Sequence, residues 1–446
     1  MTALLSHLSR RTTTVMLLAA ILPLLDSSLV NVLLPAVSAD MEVTQRTAQL
    51  GISGYMLAAT AGIVLSTTCL RRFGARQVFV ASLVVFAVAS AVVGLSWAFG
   101  VFVAARVFQG AACGFIMPAV QALAAEIVGR EGMRAALATI GLPAVIAPAF
   151  GPLVGGLLVG AVGWRVLFLV NVPLVLLAML LLPGALPKTA PARCPLGLGQ
   201  AVPALVGMVG LLWAITSIGA RPAPWILVIL GIALVSTLIF VLCDSRATVP
   251  LLDVLVYRQV PFCIAMLLCF IVGAVFYGTL LSTSIHIQGD LRQPAWVAGV
   301  ILGVQGAGAW AVRRLVKGRW KSVNAFVLIA YGLLVAAVGT LGLQALSTWT
   351  ASTIVLALLS SAIRGLGLGA ATLLALSAAY EVVSHEKTQA VGAHSRLMLQ
   401  LGGALGAAGV GVWHGSALGL GLGVAVCALI GACGAGLLVR AQHQAS

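Results

Sequence analysis

Apolar residues run through this chain in blocks of about twenty, separated by short polar stretches. A helix crossing ~30 Å of hydrocarbon needs about 20 apolar residues. A window of that length finds runs near 13–37, 48–69, 77–97, 99–127, 136–161, 164–186, 199–219, 224–243, 260–285, 294–314, 323–345, 350–380, 389–413 and 417–439. The pattern predicts an all-α integral membrane fold of about 14 transmembrane helices. Such spans consume roughly 295 residues and leave about 150 for loops and tails, too few for a soluble catalytic domain. The longest polar connections are Pro187–Leu198, Asp244–Val260 and Arg313–Val323.

A faint internal repeat organises these spans. A shift of 255 residues lays Gln109-Gly110-Ala111-Ala112-Cys113-Gly114 onto Arg364-Gly365-Leu366-Gly367-Leu368-Gly369, and Glu126 onto Glu381. Span 4 then corresponds to span 12, and spans 7 and 8 become an insertion. The expected plan is two pseudo-symmetric six-helix bundles with two inserted central helices: residues 1–187, then 188–245 with the linker and insertion, then 246–446. Weak repeats of this kind are common in transporters, whose ligand sites lie near the bilayer midplane.

Composition agrees with lipid as the solvent, since 61% of residues are apolar and 8% charged, against about 25% charged in soluble domains. The net charge of +15 would suggest nucleic acid, but position argues otherwise. Of 25 Lys and Arg, 19 fall on one side of the expected spans; Arg46, Arg165, Arg221 and Arg292 fall on the other, and Arg106 and Arg364 lie inside. By the positive-inside rule both termini are expected in the cytoplasm of a multi-pass cell-membrane protein. No nucleic-acid partner is implied. No P-loop, CxxC pair or clustered His, Cys and carboxylate set appears, so ATP hydrolysis, a metal, a cofactor and enzymatic chemistry are not expected.

Nine of the ten acidic residues fall in loops or at span ends, and Asp26 does not. It lies about 13 residues into span 1, roughly 20 Å along the axis. An Asp at that depth costs ~2.5–3.5 kcal/mol on insertion scales, and the cost falls on the charged form. The position therefore suits a group that loads and releases a proton. The structural alternative is a tie to Asn31 or Arg106. Arg106 and Gln109 share one face of span 4 with Gly110 and Cys113. An Arg at this depth needs a carboxylate or water, or else snorkels to the outer boundary. Arg364 is deeper in its own span and is a candidate for a polar cavity wall or for contact with an anionic substrate group. Tyr277 and Gln288 are weaker candidates from span 9. Span 5 carries Pro143, Pro148 and Pro152 among Gly141, Gly151, Gly155, Gly156 and Gly160, which predicts a kinked, closely packing helix. Gly402, Gly403 and Gly406 mark its counterpart in span 13.

Together these motifs resemble the major facilitator superfamily, in particular its fourteen-spanner drug/proton antiporter branch. The stretch Leu25-Asp26-Ser27-Ser28-Leu29-Val30-Asn31-Val32-Leu33-Leu34-Pro35 is similar to that branch's span 1 signature, and the resemblance implies proton coupling at Asp26. Arg106-Val107-Phe108-Gln109-Gly110 resembles the span 4 motif, with Arg106 implied in proton transfer. Ala147-Pro148-Ala149-Phe150-Gly151-Pro152-Leu153-Val154-Gly155-Gly156 resembles the antiporter motif, a marker of export. Pro250-Leu251-Leu252-Asp253 with Tyr257-Arg258 also matches the branch. One loop departs from it. Between spans 2 and 3 the family carries a Gly, an Asp-Arg pair and then Gly-x-Arg, whereas this chain has Thr67, then Arg71-Arg72-Phe73-Gly74-Ala75-Arg76. The inner gate is thus expected from Arg71, Arg72, Gly74, Arg76, Glu126, Glu131 and Arg134. Either Glu126 or Glu131 supplies the missing anion, or the inner-closed state is weaker.

The function implied is proton-coupled export of small drug-like or toxic molecules by alternating access, by a monomer, with Asn31, Gln109, Cys113, Tyr277 and Arg364 lining the substrate cavity. Two alternatives share the fold: a proton-coupled importer, and a non-transporting membrane receptor or scaffold that keeps an altered inner-gate loop.

Overall fold

A computed structural model of the chain describes residues 10–140, 142–187, 197–217, 222–247, 250–317, 320, 323–381 and 388–413. Every regular element among them is helical. Ten described helices are long and apolar enough to cross a membrane, and Asn171–Leu181 and Gly199–Ala214 are shorter apolar helices. The run expected at 417–439 lies outside the described residues.

Two compact units divide the chain. The first contains α1 (Arg10–Asp40), the one-turn α2 (Gln45–Ala48), α3 (Leu50–Phe73), α4 (Ala75–Gly94) and α5 (Phe99–Ile140), then most of α6 (Leu142–Leu169), α7 (Asn171–Leu181), α8 (Leu198–Thr216) and α9 (Ala223–Arg246). The second contains a 3-10 turn (Val254–Arg258), α10 (Val260–Ile285), a π-helical turn (His286–Asp290), α11 (Ala295–Lys317), α12 (Ala325–Gln344), α13 (Ala351–Glu381) and α14 (Thr388–Trp413). It also takes in Pro152–Leu157 of α6 and Ala214–Leu227.

Local chemistry sets several of these boundaries. Thr44 caps α2 by accepting a hydrogen bond from the Thr47 N–H at 3.1 Å. Gly74 has φ 84° and both ends α3 and opens α4, a left-handed conformation that glycine adopts without penalty. Gly163 has φ 77° inside α6, so the helix breaks where the sequence separates spans 5 and 6. One boundary moves. The sequence ends span 4 at 127 and starts span 5 at 136, but α5 runs unbroken over 42 residues to Ile140. At 1.5 Å per residue that is about 63 Å, twice the hydrocarbon thickness. Between the apolar runs Arg130, Glu131, Met133, Arg134 and Ala135 are good helix formers and no proline stands among them, so the segment continues the helix despite Gly129 and Gly132.

In the first unit, Val15, Met16, Leu22, Phe79, Phe86, Ile116 and Val120 form a buried core among α1, α4 and α5. In the second, Phe262, Met266, Val272, Phe326, Leu333 and Ala371 do the same among α10, α12 and α13. α8 and α9 pair through Gly207 against Thr237 and Gly210 against Ala233. The rest of α9 turns Ile232, Leu234, Val235, Leu238 and Ile239 outward, as a lipid-facing helix does.

The sequence repeat has a physical counterpart in each unit. In α5, Gly110 and Gly114 lie against the backbone of α3 at Tyr55 and at Ala59 through Ile63. In α13, Gly365 and Gly369 lie against the backbone of α11 at Gln305 and Ala309. A Cβ at any of the four would overlap main-chain atoms that belong to a packed helix and cannot swing aside. Lipid tails are as apolar as the side chains, so close backbone approach is what holds such helix pairs together. Gly110→Leu is therefore expected to destabilise the protein by at least about 1–3 kcal/mol, the usual overpacking cost. Gly160→Ala, which meets nothing within 4 Å, is expected to be neutral or slightly stabilising. Thermal unfolding in detergent distinguishes the two.

Candidate functional site

The polar centre of the first unit is built on α1. Asp26 stands one residue past the midpoint of that 31-residue helix and is 1% exposed. Its Oδ2 lies 2.5 Å from Arg106 Nη1, and its Oδ1 accepts from Gln109 Nε2 at 2.9 Å and from Asn171 Nδ2 at 3.3 Å. Three donors converge on the two oxygens, the arrangement that matches an ionised carboxylate. The sequence leaves Asp26 either as a proton-loading acid or as an acid tied to Asn31 or Arg106, and in this conformation the tie is to Arg106.

Arg106 is fully buried on α5, which rules out the snorkelling alternative in this conformation. Its Nη1 also donates to Gln109 Oε1 at 2.5 Å, and its Nε approaches the Gly51 carbonyl at 3.4 Å. The guanidinium lies over the Tyr55 ring at 4.2 Å and the Phe168 ring at 5.4 Å, so aromatic faces stabilise the charge that no longer meets water. Gln109 Nε2 reaches Ser90 Oγ at 2.7 Å, and Asn171 Nδ2 reaches the same hydroxyl at 3.3 Å. The network thus ties α1, α4, α5 and α7 together. The i, i+3 spacing of Arg106 and Gln109 puts both on the face that meets Asp26. Ser90, Asn171, Tyr55 and Phe168 escape sequence reasoning. Each is an ordinary residue inside an apolar run, and Asn171, a lone amide just past the Gly163 break, is the one with a legible signal.

The other cavity candidates divide. Asn31 is buried but donates to the Ser27 carbonyl of its own helix at 3.0 Å, so it is no partner of Asp26 here. Cys113 is half-buried and hydrogen-bonds to Tyr55, whose hydroxyl in turn reaches the Pro23 carbonyl at 3.4 Å. Tyr277, in the second unit, is half-buried against Phe276, with ring centroids 5.3 Å apart. Gln288 donates to Ser284 at 2.8 Å. Arg364 is fully buried, and its Nη1 donates to Thr283 Oγ1 at 2.6 Å.

In the antiporter motif, Gly151 is buried against Ser28 of α1. Pro152, Gly155 and Gly156 are buried in the second unit, where Gly156 meets the backbone of Ala295 and Gly299 on α11. Pro148 has its side chain outside the described residues. At the inner gate, Arg72 is exposed with its guanidinium 5.7 Å from the Phe73 ring, and Arg71 Nε has no partner among the described residues. Arg76 and Glu126 each take part in an interaction. The side chains of Glu131 and Arg134 lie outside the described residues, so the choice between Glu126 and Glu131 is not made here.

Comparison with known proteins places this geometry. A family model described as Major Facilitator Superfamily matches residues 16–407. The "Multidrug resistance protein B homolog" of Mycobacterium tuberculosis is 27% identical over 340 residues, covering 74% of this chain and 62% of that protein. The chain therefore spans about three-fifths of that relative's length. The "Tetracenomycin C resistance and export protein" of Streptomyces glaucescens is 28% identical over 408 residues, 89% of this chain and 74% of that protein. A crystal structure of the POT family transporter PepTSo superposes with a TM-score of 0.72 at 14% identity, covering 98% of this chain and 99% of that one. At that identity the likeness shows the fold.

Breaking a fully buried pair by removing one partner costs about 3–5 kcal/mol. Asp26→Asn and Arg106→Gln are each expected to lose stability on that scale. The double variant is expected to lose less than the sum, by roughly 1–3 kcal/mol. Denaturant titration of the four proteins in detergent measures the coupling, and strict additivity would show that the two side chains do not interact.

Proposed function

The chain belongs to the major facilitator superfamily, and from that premise we propose that it is a proton-coupled secondary transporter exporting small molecules by alternating access. The observation that carries the reading is the Asp26–Arg106 contact at 2.5 Å in a dry, mid-helix setting.

A proton arriving at Asp26 removes the negative charge that balances Arg106. The neutral acid still hydrogen-bonds, but it no longer offsets a buried guanidinium, and an unbalanced charge in low dielectric costs several kcal/mol. Arg106 then moves toward water or another acceptor. Since it is fixed on α5 beside Gln109, its movement strains the ties to α1, α4 and α7. Proton binding and helix arrangement are coupled through one interaction. Transport follows if the exported compound favours the opposite arrangement, because linkage is reciprocal. The required coupling is typically 1–3 kcal/mol, less than the pair supplies.

Export rather than uptake is supported by the span 5 motif and by the printed names of the relatives, which are resistance and export proteins. The basic loops support cytoplasmic termini in a bacterial cell membrane. The working unit in this reading is a monomer.

Proteoliposomes carrying a pH-sensitive dye test the reading. Under an imposed proton gradient, wild type is expected to release protons when challenged with members of a panel of cationic, neutral and anionic aromatic compounds. Asp26→Asn is expected to lose that flux by at least tenfold while remaining monodisperse. Full proton flux in the Asn variant would remove Asp26 as the coupling group.

A further inference from the structure

Two arginines are fully buried among the described residues, and only Arg106 has a carboxylate. Arg364 sits near the centre of the Ala351–Ala375 stretch of α13, about 20 Å from one end and about 17 Å from the other. Its Nη1 is committed to Thr283 Oγ1 at 2.6 Å, and that hydroxyl donates on to the Thr279 carbonyl at 2.7 Å. Its backbone is pressed against α12, where a Cβ on Gly339 would meet Arg364 N at 2.6 Å and Arg364 Cβ at 2.8 Å. The side chain is therefore fixed at root and tip. Its Nε and Nη2 have no hydrogen-bond partner among the described residues.

Among the described residues no acid of the same unit is paired with this charge. The sequence from Leu252 onward holds four acids, Asp253, Asp290, Glu381 and Glu386. Asp253 precedes the 3-10 turn, and Asp290 is 56% exposed and paired with His286 at 2.8 Å. Glu381 ends α13, 17 residues from Arg364, or about 25 Å along the axis. Glu386 lies outside the described residues.

The two unpartnered atoms are neighbours. Nε–H and the adjacent Nη2–H form the side-on edge of a guanidinium, the planar fork that matches the two oxygens of a carboxylate. The repeat sharpens the contrast. Arg364 stands where the first unit has Gln109, and Thr283 contacts it from α10 as Asp26 contacts Gln109 from α1. Where the first unit sets an amide against a carboxylate, the second sets a cation against a hydroxyl.

We propose that the Nε–Nη2 edge of Arg364 recognises a carboxylate on the exported compound, so that the substrates include aromatic or other apolar carboxylic acids. This deepens the export reading and rests on it for the word substrate. Mid-span depth argues against a lipid headgroup, and the two-pronged edge favours a carboxylate over a spherical halide.

Binding to the purified full-length protein in detergent, with no proton gradient, tests the site separately from transport. Calorimetric titrations compare benzoate, salicylate and 1-naphthoate, each beside its neutral amide, with potassium chloride as a third arm. At least one acid is expected to bind wild type ten times or more tightly than its amide. Arg364→Gln is expected to level the two, and Arg364→Lys to keep the preference in part. The proposal is overturned by wild type that prefers none of the acids, by Arg364→Gln that keeps the full preference, or by chloride displacing the acids at equal concentration. The wild-type comparison decides even if the Gln variant does not fold. Loss of proton coupling in the liposome experiment leaves these outcomes untouched.

Discussion

The first unit depends on one constraint: a carboxylate and a guanidinium that share the interior of a membrane protein must neutralise one another. Asp26 and Arg106 do so at 2.5 Å with no water contact on either side chain. The surrounding groups follow from that need. Gln109 bridges the two charges, Asn171 adds a donor to the carboxylate, Ser90 holds both amides, and Tyr55 and Phe168 cover the guanidinium, whose Nη2 has no hydrogen-bond partner among the described residues. The contributors come from several helices, with Arg106 and Gln109 sharing α5, so helix positions and charge state are one variable. A proton is the smallest agent that can change it.

The helix–helix scaffold allows that chemistry by being stiff elsewhere. Gly110 and Gly114 bring α5 onto the backbone of α3, and Gly365 and Gly369 bring α13 onto α11. With the main chains in contact, a shift of one helix carries its partner along. Arg106 lies four residues before Gly110, and Arg364 one residue before Gly365. The charged side chains therefore stand beside the crossing points where a rearrangement is transmitted most directly.

The same scaffold holds different electrostatics in the two units. The first is balanced within itself. The second keeps Arg364 without an acid and offers Thr283 instead. A buried unpaired cation is costly in hydrocarbon, and such residues are default candidates for ligand contact. On the proposed reading labour is divided: one unit responds to protons, the other to an anionic group. The altered inner-gate loop fits neither role. Gly74 keeps the φ of 84° that turns α3 into α4, while Arg71 places a cation where the resembling family has an acid.

The sequence by itself determined the solvent, the helical class, the rough span positions and the chemistry worth watching. Hydrocarbon forces every backbone group into internal hydrogen bonds, so twenty apolar residues are already a helix. A lone Asp in such a run stands out against that background, as do Arg106, Gln109 and Arg364. The span boundaries near 70–76 and 162–163 were legible, and the structure places Gly74 and Gly163, both at positive φ, in them. Tertiary structure decided the partners. Asn31, five residues from Asp26, folds back onto Ser27, while Asn171, 145 residues away, reaches the carboxylate. Nothing local distinguishes those two amides. Which donor meets the acid depends on how α7 packs beside α1, and that packing is set by shape between helices whose surfaces are all equally apolar. The continuous α5 was hidden as well, because the polar stretch between its apolar run and the next reads as a loop. Charge and hydrophobicity are written residue by residue, but compensation between charges is a property of distance, and distance exists only in the fold.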